Sequence, residues 1–340
     1  MLAHIPAGLP RGSPLVVLLH GCTQNAASYA VGTGWTTLAD RCGFALLLPE
    51  QRPANNPNAC FSWFRTPDIT RGSGEVLSIR CMVGRLLEDH GLDPQRVYVS
   101  GLSAGGAMTA AMLATYPEVF AGGAIIAGLP YGCASGVQEA LSCMSRASSR
   151  PASAWGDLVR GASGHAGPWP RVSVWHGTAD ATVVPANAVE IVKQWADVHG
   201  VPARPSFDGL QDGMPHRAWR DRAGAVVLEW YEIPGLPHGV PIAPRAPSAE
   251  QRCGTPAPFI LDAGISSTYH IARSWGLAEG IDVRAAAALL PAGAPPGSAR
   301  DGPGERAGAG AVLRPLALDP GSVIDRALRA AGLLGDKRSP

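Results

Sequence analysis

The chain has 340 residues, 46% of them hydrophobic and only 16% charged, with 42 glycines and 31 prolines. That is enough apolar material for one large or two modest globular domains with abundant turns. Its 28 basic and 27 acidic residues nearly cancel, at net +1, and they form no basic stripe; nucleic acid is disfavoured as a partner, no apolar run is long enough to span a membrane, and a neutral substrate fits best.

The opening stretch, MLAHIPAGLPRGSP, holds no apolar segment of signal-peptide length. Either the protein is cytoplasmic, or it is exported by a leader that this sequence does not include. Pro14 to His20 is a continuous apolar run ending at Gly21, as expected of a strand buried on both faces of a parallel sheet. Trp35 to Arg41 predicts a short helix and Phe44 to Pro49 a second buried strand. From Glu75 to Asp89, apolar residues at Val76, Ile79, Val83, Leu86 and Leu87 have the spacing of an amphipathic helix.

Arg96 to Ser100 then reads as a short buried strand, followed by the G-x-S-x-G run Gly101-Leu102-Ser103-Ala104-Gly105 and an Ala-rich helix from Ala104 to Tyr116 that stops at Pro117. Further strands are expected over Gly122–Ala127, 172–176 and 226–232, and a helix over Pro185–His199 with proline in its first turn. Residues 131–170 fit neither period and are expected to form a cap or loop insertion. Strand alternating with helix predicts an α/β fold with a mostly parallel central sheet flanked by helices. This catalytic domain is expected over residues 1–280. An Ala/Gly/Pro-rich linker is expected over 281–320, and a terminal helix over 321–335 with Ser322 as its N-cap.

A serine on a strand-to-helix turn stands exposed above the sheet, and the helix that follows aims free N–H groups at a developing oxyanion. This makes Ser103 the candidate nucleophile. Such a serine needs a base, and the base needs a carboxylate, in the chain order Ser, Asp or Glu, His. Asp180, in His176-Gly177-Thr178-Ala179-Asp180 just past a strand, fits the acid; Asp157, Asp212 and Asp221 lack this setting. His238, in Gly235-Leu236-Pro237-His238-Gly239 after the last strand, fits the base, with His216 the serious rival and His165, His199 and His270 also present. The oxyanion donors are expected to be the N–H groups of Ala104 and of Cys22, in His20-Gly21-Cys22-Thr23. Trp63 is read either as core or as a substrate-contact surface. His20 and His176 have no third ligand in sight, so no metal and no cofactor are expected.

Seven cysteines (Cys22, Cys42, Cys60, Cys81, Cys133, Cys143 and Cys253) are read either as buried thiols or as up to three disulfides plus one free thiol. Cys22 and Cys60 both lie in segments with functional candidates, and Cys133 and Cys143 flank a short loop.

With these pieces assembled, the chain resembles the poly(3-hydroxybutyrate) depolymerase family of esterases. The stretches that carry the resemblance are LLHGCTQNAASYAVGTGW, LLLPEQRPANNPNACFSWF, VYVSGLSAGGAMTAAMLATYPEVFAGGAIIAGLPYGCA, WHGTADATVVP and GLPHGVPI, spread over roughly residues 5 to 275. Their order is similar to the type 1 arrangement of short-chain depolymerase catalytic domains. The resemblance implies an α/β-hydrolase fold and an acyl-enzyme mechanism, with Ser103 as nucleophile, Asp180 as acid, His238 as base and Cys22 as an oxyanion donor. It also implies a polyester substrate, an extracellular or periplasmic setting, and a Cys133–Cys143 disulfide. The tail beyond 280 is too short and too rich in Ala, Gly and Pro for a polymer-binding module, which turns the expectation toward oligomers, amorphous polyester or a short-chain ester. Feruloyl and acetyl xylan esterases are the alternative, since that family is similar to them. A non-catalytic α/β-hydrolase fold that only binds ligand is a third reading.

Overall fold

The computed structural model describes residues 1–278; the linker and helix expected over 281–320 and 321–335 lie outside the described residues. In chain order the elements are β1 (Leu2–His4), β2 (Leu15–Leu19), α1 (Ala26–Gly32), α2 (Trp35–Cys42), β3 (Ala45–Leu48), α3 (Gly74–His90), β4 (Val97–Leu102), α4 (Ala104–Thr115) and β5 (Gly122–Ile126). They continue with α5 (Val137–Arg146), α6 (Ala152–Gly161), β6 (Arg171–Gly177), α7 (Ala186–His199), β7 (Phe207–Gln211), β8 (Met214–Arg220), β9 (Val226–Ile233), β10 (Val240–Ile242), β11 (Ile260–Asp262) and α8 (Ser267–Ser274).

Nine strands form the main sheet in the order β1-β3-β2-β4-β5-β6-β9-β8-β7. From β3 to β9 every neighbour is parallel, while β1 at one edge and β8 and β7 at the other run antiparallel. The apolar run of β2 has its predicted cause. Leu15, Val17 and Leu19 face one core cluster with α3, α4, α6 and α7, while Val16 and Leu18 face the other with α1, α2 and α8. A strand covered on both faces has no polar side, and each fully buried Leu or Val contributes roughly 1.5–3 kcal/mol.

The insertion over 131–170 contains two helices that the period reading did not separate. Its α6 packs on α7, where Trp155 Nε1 donates to Glu190 Oε2 at 2.7 Å. Its α5 is tied there by Asn187 Nδ2 donating to the Cys143 carbonyl at 2.9 Å. No helix of the described residues is long and apolar enough to cross a membrane.

Candidate active site

Ser103 is the N-cap of α4, at φ 58° and ψ −117°. A non-glycine residue held at positive φ is strained, and such strain persists only where the surroundings enforce it. Here they do. The Ser103 N–H donates to the Ile126 carbonyl (2.9 Å) and its carbonyl accepts from Ala107 (2.9 Å). The flanking glycines let three backbones meet: a Cβ on Gly105 would collide with the carbonyl oxygens of Leu19 and His20, and one on Gly101 with those of Gly105 and Leu19. The turn therefore wedges the start of α4 against the end of β2, leaving Ser103 6% exposed.

Asp180 and His238 come from loops that are laced together. Thr178 N–H donates to the Ile233 carbonyl (3.0 Å), Ala179 N–H to the Leu236 carbonyl (3.1 Å), and Gly235 N–H to Thr178 Oγ1 (2.8 Å). The result is a 2.7 Å bond between His238 Nδ1 and Asp180 Oδ2. The other carboxylate oxygen, Oδ1, accepts from the N–H groups of Thr182 and Val183, both at 2.9 Å. A second histidine, His176, donates Nε2–H to the Val183 carbonyl (2.7 Å) and lies 3.4 Å from Asp180 Oδ2. Burial alone would raise the Asp180 carboxyl, but the imidazoles of His176 and His238 beside it hold it well below the usual carboxylate range. Asp180 is thus a fixed anion. It accepts at Oδ2, so His238 carries its proton on Nδ1 and leaves Nε2 free to accept one.

The rival histidines are engaged elsewhere. His216 pairs with Glu229 (3.1 Å) and stacks on Tyr231, His270 pairs with Asp212 (3.0 Å), and His165 bonds to the Pro168 carbonyl (2.9 Å). Burial at the end of α7 pushes His199 down to about 4.

Cys22 follows β2 at the same end of the sheet. The N–H groups of its neighbours Gly21, Thr23 and Gln24 go to Gln24 Oε1, the Asn58 carbonyl and the Gly21 carbonyl, while that of Cys22 has no acceptor among the described residues. Ala104 is the first residue of α4, so its N–H has no intrahelical partner. Cys22 is bonded to Cys60, 38 residues on. The pairing expected between Cys133 and Cys143 is corrected: both are buried and free. The Cys143 thiol instead turns to the Cys133 carbonyl (2.9 Å) and to Ser148 Oγ (3.2 Å). Trp63 sits in the core cluster, 7% exposed, edge-on to Phe64. Sequence reasoning missed His176 as a partner of Asp180; its position four residues before the acid was the available signal. Among the described residues no group of three His, Cys, Asp or Glu side chains is placed to hold a metal.

A strained serine between strand and helix, with a carboxylate-bound histidine on neighbouring loops of a mostly parallel sheet, defines an α/β-hydrolase fold. A solved acetyl xylan esterase from Aspergillus awamori shares it, with a TM-score of 0.64 and 27% identity over 69% of this chain and 87% of that one. The chain belongs to the esterase PHB depolymerase family, whose model matches residues 3–204. It is 46% identical over 278 residues to the poly(3-hydroxyalkanoate) depolymerase C of Paucimonas lemoignei, an alignment covering 82% of this chain and 66% of that protein. It is 34% identical over 248 residues to an acetylxylan esterase of Coprinopsis cinerea, covering 71% of this chain and 65% of that one. To a feruloyl esterase B of Thermothelomyces thermophilus it is 34% identical over 229 residues, covering 65% and 76%. The chain thus spans about two thirds of the length of the first two relatives.

Proposed function

We propose that this chain is a serine esterase that cleaves the ester bonds of poly(3-hydroxyalkanoate)-type polyester or its oligomers through an acyl-enzyme. The observation that carries the reading is the His238–Asp180 bond at 2.7 Å, set on loops that leave the same end of the parallel sheet as a serine held at positive φ. In this reading Ser103 Oγ attacks the ester carbonyl as His238 Nε2 takes its proton. The C–O bond to the leaving alcohol breaks and that proton passes to the alcohol oxygen. Water then attacks the acyl-serine by the same exchange, releasing the acid and restoring the Ser103 hydroxyl. The N–H groups of Cys22 and Ala104 receive the oxyanion, each donor supplying on the order of 3 kcal/mol in the barrier. Asp180 keeps the imidazole in its accepting tautomer and offsets the charge of the imidazolium.

The polyester assignment draws on the depolymerase relative at 46% identity. A second reading, a feruloyl or acetylxylan-type esterase, draws on the 34% relatives and on the solved acetyl xylan esterase. Hydrolysis of amorphous poly(3-hydroxybutyrate), methyl ferulate, acetylated xylan and p-nitrophenyl butyrate separates them. Soluble hydroxybutyrate products from the wild type, absent with Ser103→Ala, establish the first reading. Turnover of the carbohydrate-linked or small esters alone transfers the assignment to the second. An exported setting is also proposed, because a Cys22–Cys60 disulfide persists in oxidising compartments.

A further inference from the structure

The oxyanion loop 20–23 is braced from behind by residues 50–62, and both ends of that brace lead to one side chain. Gln51 N–H donates to His20 Nε2 at 3.2 Å. His20 therefore carries its proton on Nδ1, which donates to the Gly21 carbonyl at 2.8 Å, immediately before Cys22. His20 is fully buried against Phe61 (ring centroids 5.1 Å apart), and burial lowers its affinity for a second proton, so the neutral ring can accept and donate at once. The other end of the brace is the Cys22–Cys60 disulfide, two residues from Ser62.

Glu75, in the first turn of α3, joins these ends. Its Oε1 accepts from Gln51 Nε2 and its Oε2 from Ser62 N–H at 2.8 Å. The Gln51 amide cannot turn over, because its Oε1 already accepts from Arg52 N–H and Asn55 Nδ2, both at 3.0 Å. Two donors thus converge on two acceptor oxygens, which a carboxylate satisfies and an amide does not. Glu75 also lines a cavity of about 660 Å³ with Phe61, Ser62, Arg65 and Asp68, so its head group can be changed without opening the apolar core.

We propose that Glu75 is a positioning residue for ester hydrolysis, clamping Gln51 and Ser62 so that His20 and the Cys22–Cys60 bond hold the Cys22 N–H on the oxyanion. The proposal rests on the esterase reading and on Cys22 as a donor. It predicts a defect in the transition state with substrate binding preserved, since a donor misplaced by a fraction of an ångström acts on the oxyanion.

The exchange of the two side chains tests it. Glu75→Gln sets amide against amide and Gln51→Glu sets carboxylate against carboxylate. In the double variant every bond is restored, with donor and acceptor reversed only between the two exchanged positions: the amide now at position 75 donates to the carboxylate now at position 51, and its oxygen still accepts from Ser62. On p-nitrophenyl butyrate each single variant is expected to lose about tenfold or more in kcat with KM within about twofold, and the double variant to recover to within about threefold of wild type. Singles within about twofold of wild-type kcat overturn the clamp, as does a double variant that melts like wild type yet stays as slow as the slower single. If one single does not fold, the double is compared with the other: faster supports the clamp, equal or slower overturns it. Ser103→Ala is assayed alongside. Activity there above about a hundredth of the wild-type rate removes the serine-nucleophile reading on which this inference rests, whereas a dead Ser103→Ala beside unaffected clamp variants removes only this inference.

Discussion

His238 Nδ1 and Asp180 Oδ2 lie 2.7 Å apart, both side chains almost wholly withdrawn from water, and this bond decides which imidazole nitrogen can accept a proton. Asp180→Asn presents an amide that can donate to Nδ1 and so favours the wrong tautomer. The expected loss in kcat is about 10⁴-fold, with KM little changed. Steady-state kinetics on a soluble ester checks it; a loss below tenfold contradicts the role given to Asp180.

The same carboxylate links stability to pH. A carboxyl held below its ordinary value of 3.8 contributes stability that is complete above that value and lost as the pH falls through the folded-state value. Asp180→Asn lacks that contribution at every pH. The gap in urea midpoint between wild type and variant should be constant from about pH 5 to 8 and narrow below about pH 4. A gap that widens on acidification has the wrong sign.

The Cys22–Cys60 disulfide closes a long loop against the segment proposed to hold the oxyanion. Cys60→Ser should lower folding stability by about 2–4 kcal/mol and reduce kcat, as should mild reduction of the wild type. Non-reducing peptide mapping should recover Cys22 and Cys60 as one linked pair and Cys133 and Cys143 as free thiols. A linked Cys133–Cys143 peptide would contradict the arrangement around α5.

Gly105 is a packing requirement. A methyl group there meets the backbone oxygens of Leu19 and His20, which belong to the strand end and cannot swing aside. Gly105→Ala should cost about 1–3 kcal/mol in stability and lower kcat more than it raises KM, because the displaced segment leads into Cys22. Thermal melts and kinetics together check this; a variant equal to wild type in both contradicts it.

Much of this was legible in sequence because the central strands are covered on both faces, so Leu15–Leu19 and Ala45–Leu48 read as unbroken apolar runs, and because the elbow around Ser103 needs glycines at fixed places. The edges were not. The residues of β7, FDGLQ, are mostly exposed and carry a glycine, so they show neither a period nor a continuous run. The helices α5 and α6 are short, and each buries only a few residues, Ala140 and Cys143 in one and Trp155, Gly156 and Val159 in the other, too few to stand out as a helical period. Spacing suggested Cys133–Cys143, but spacing says nothing of where a thiol points. The Glu75 clamp joins residues 20, 51, 62 and 75 across three elements, and only the folded chain brings their donors and acceptors face to face.

Attack by Ser103 Oγ with His238 as its base can be read out with a fluorophosphonate probe, which leaves a phosphonyl group on the serine as fluoride departs, by intact mass and peptide mapping. One covalent adduct per chain is expected, located on Ser103, absent from Ser103→Ala and much slower to form in His238→Ala, with both variants folded. An adduct on another residue, or ester hydrolysis by Ser103→Ala above about a hundredth of the wild-type rate, would contradict the assignment of Ser103 as nucleophile.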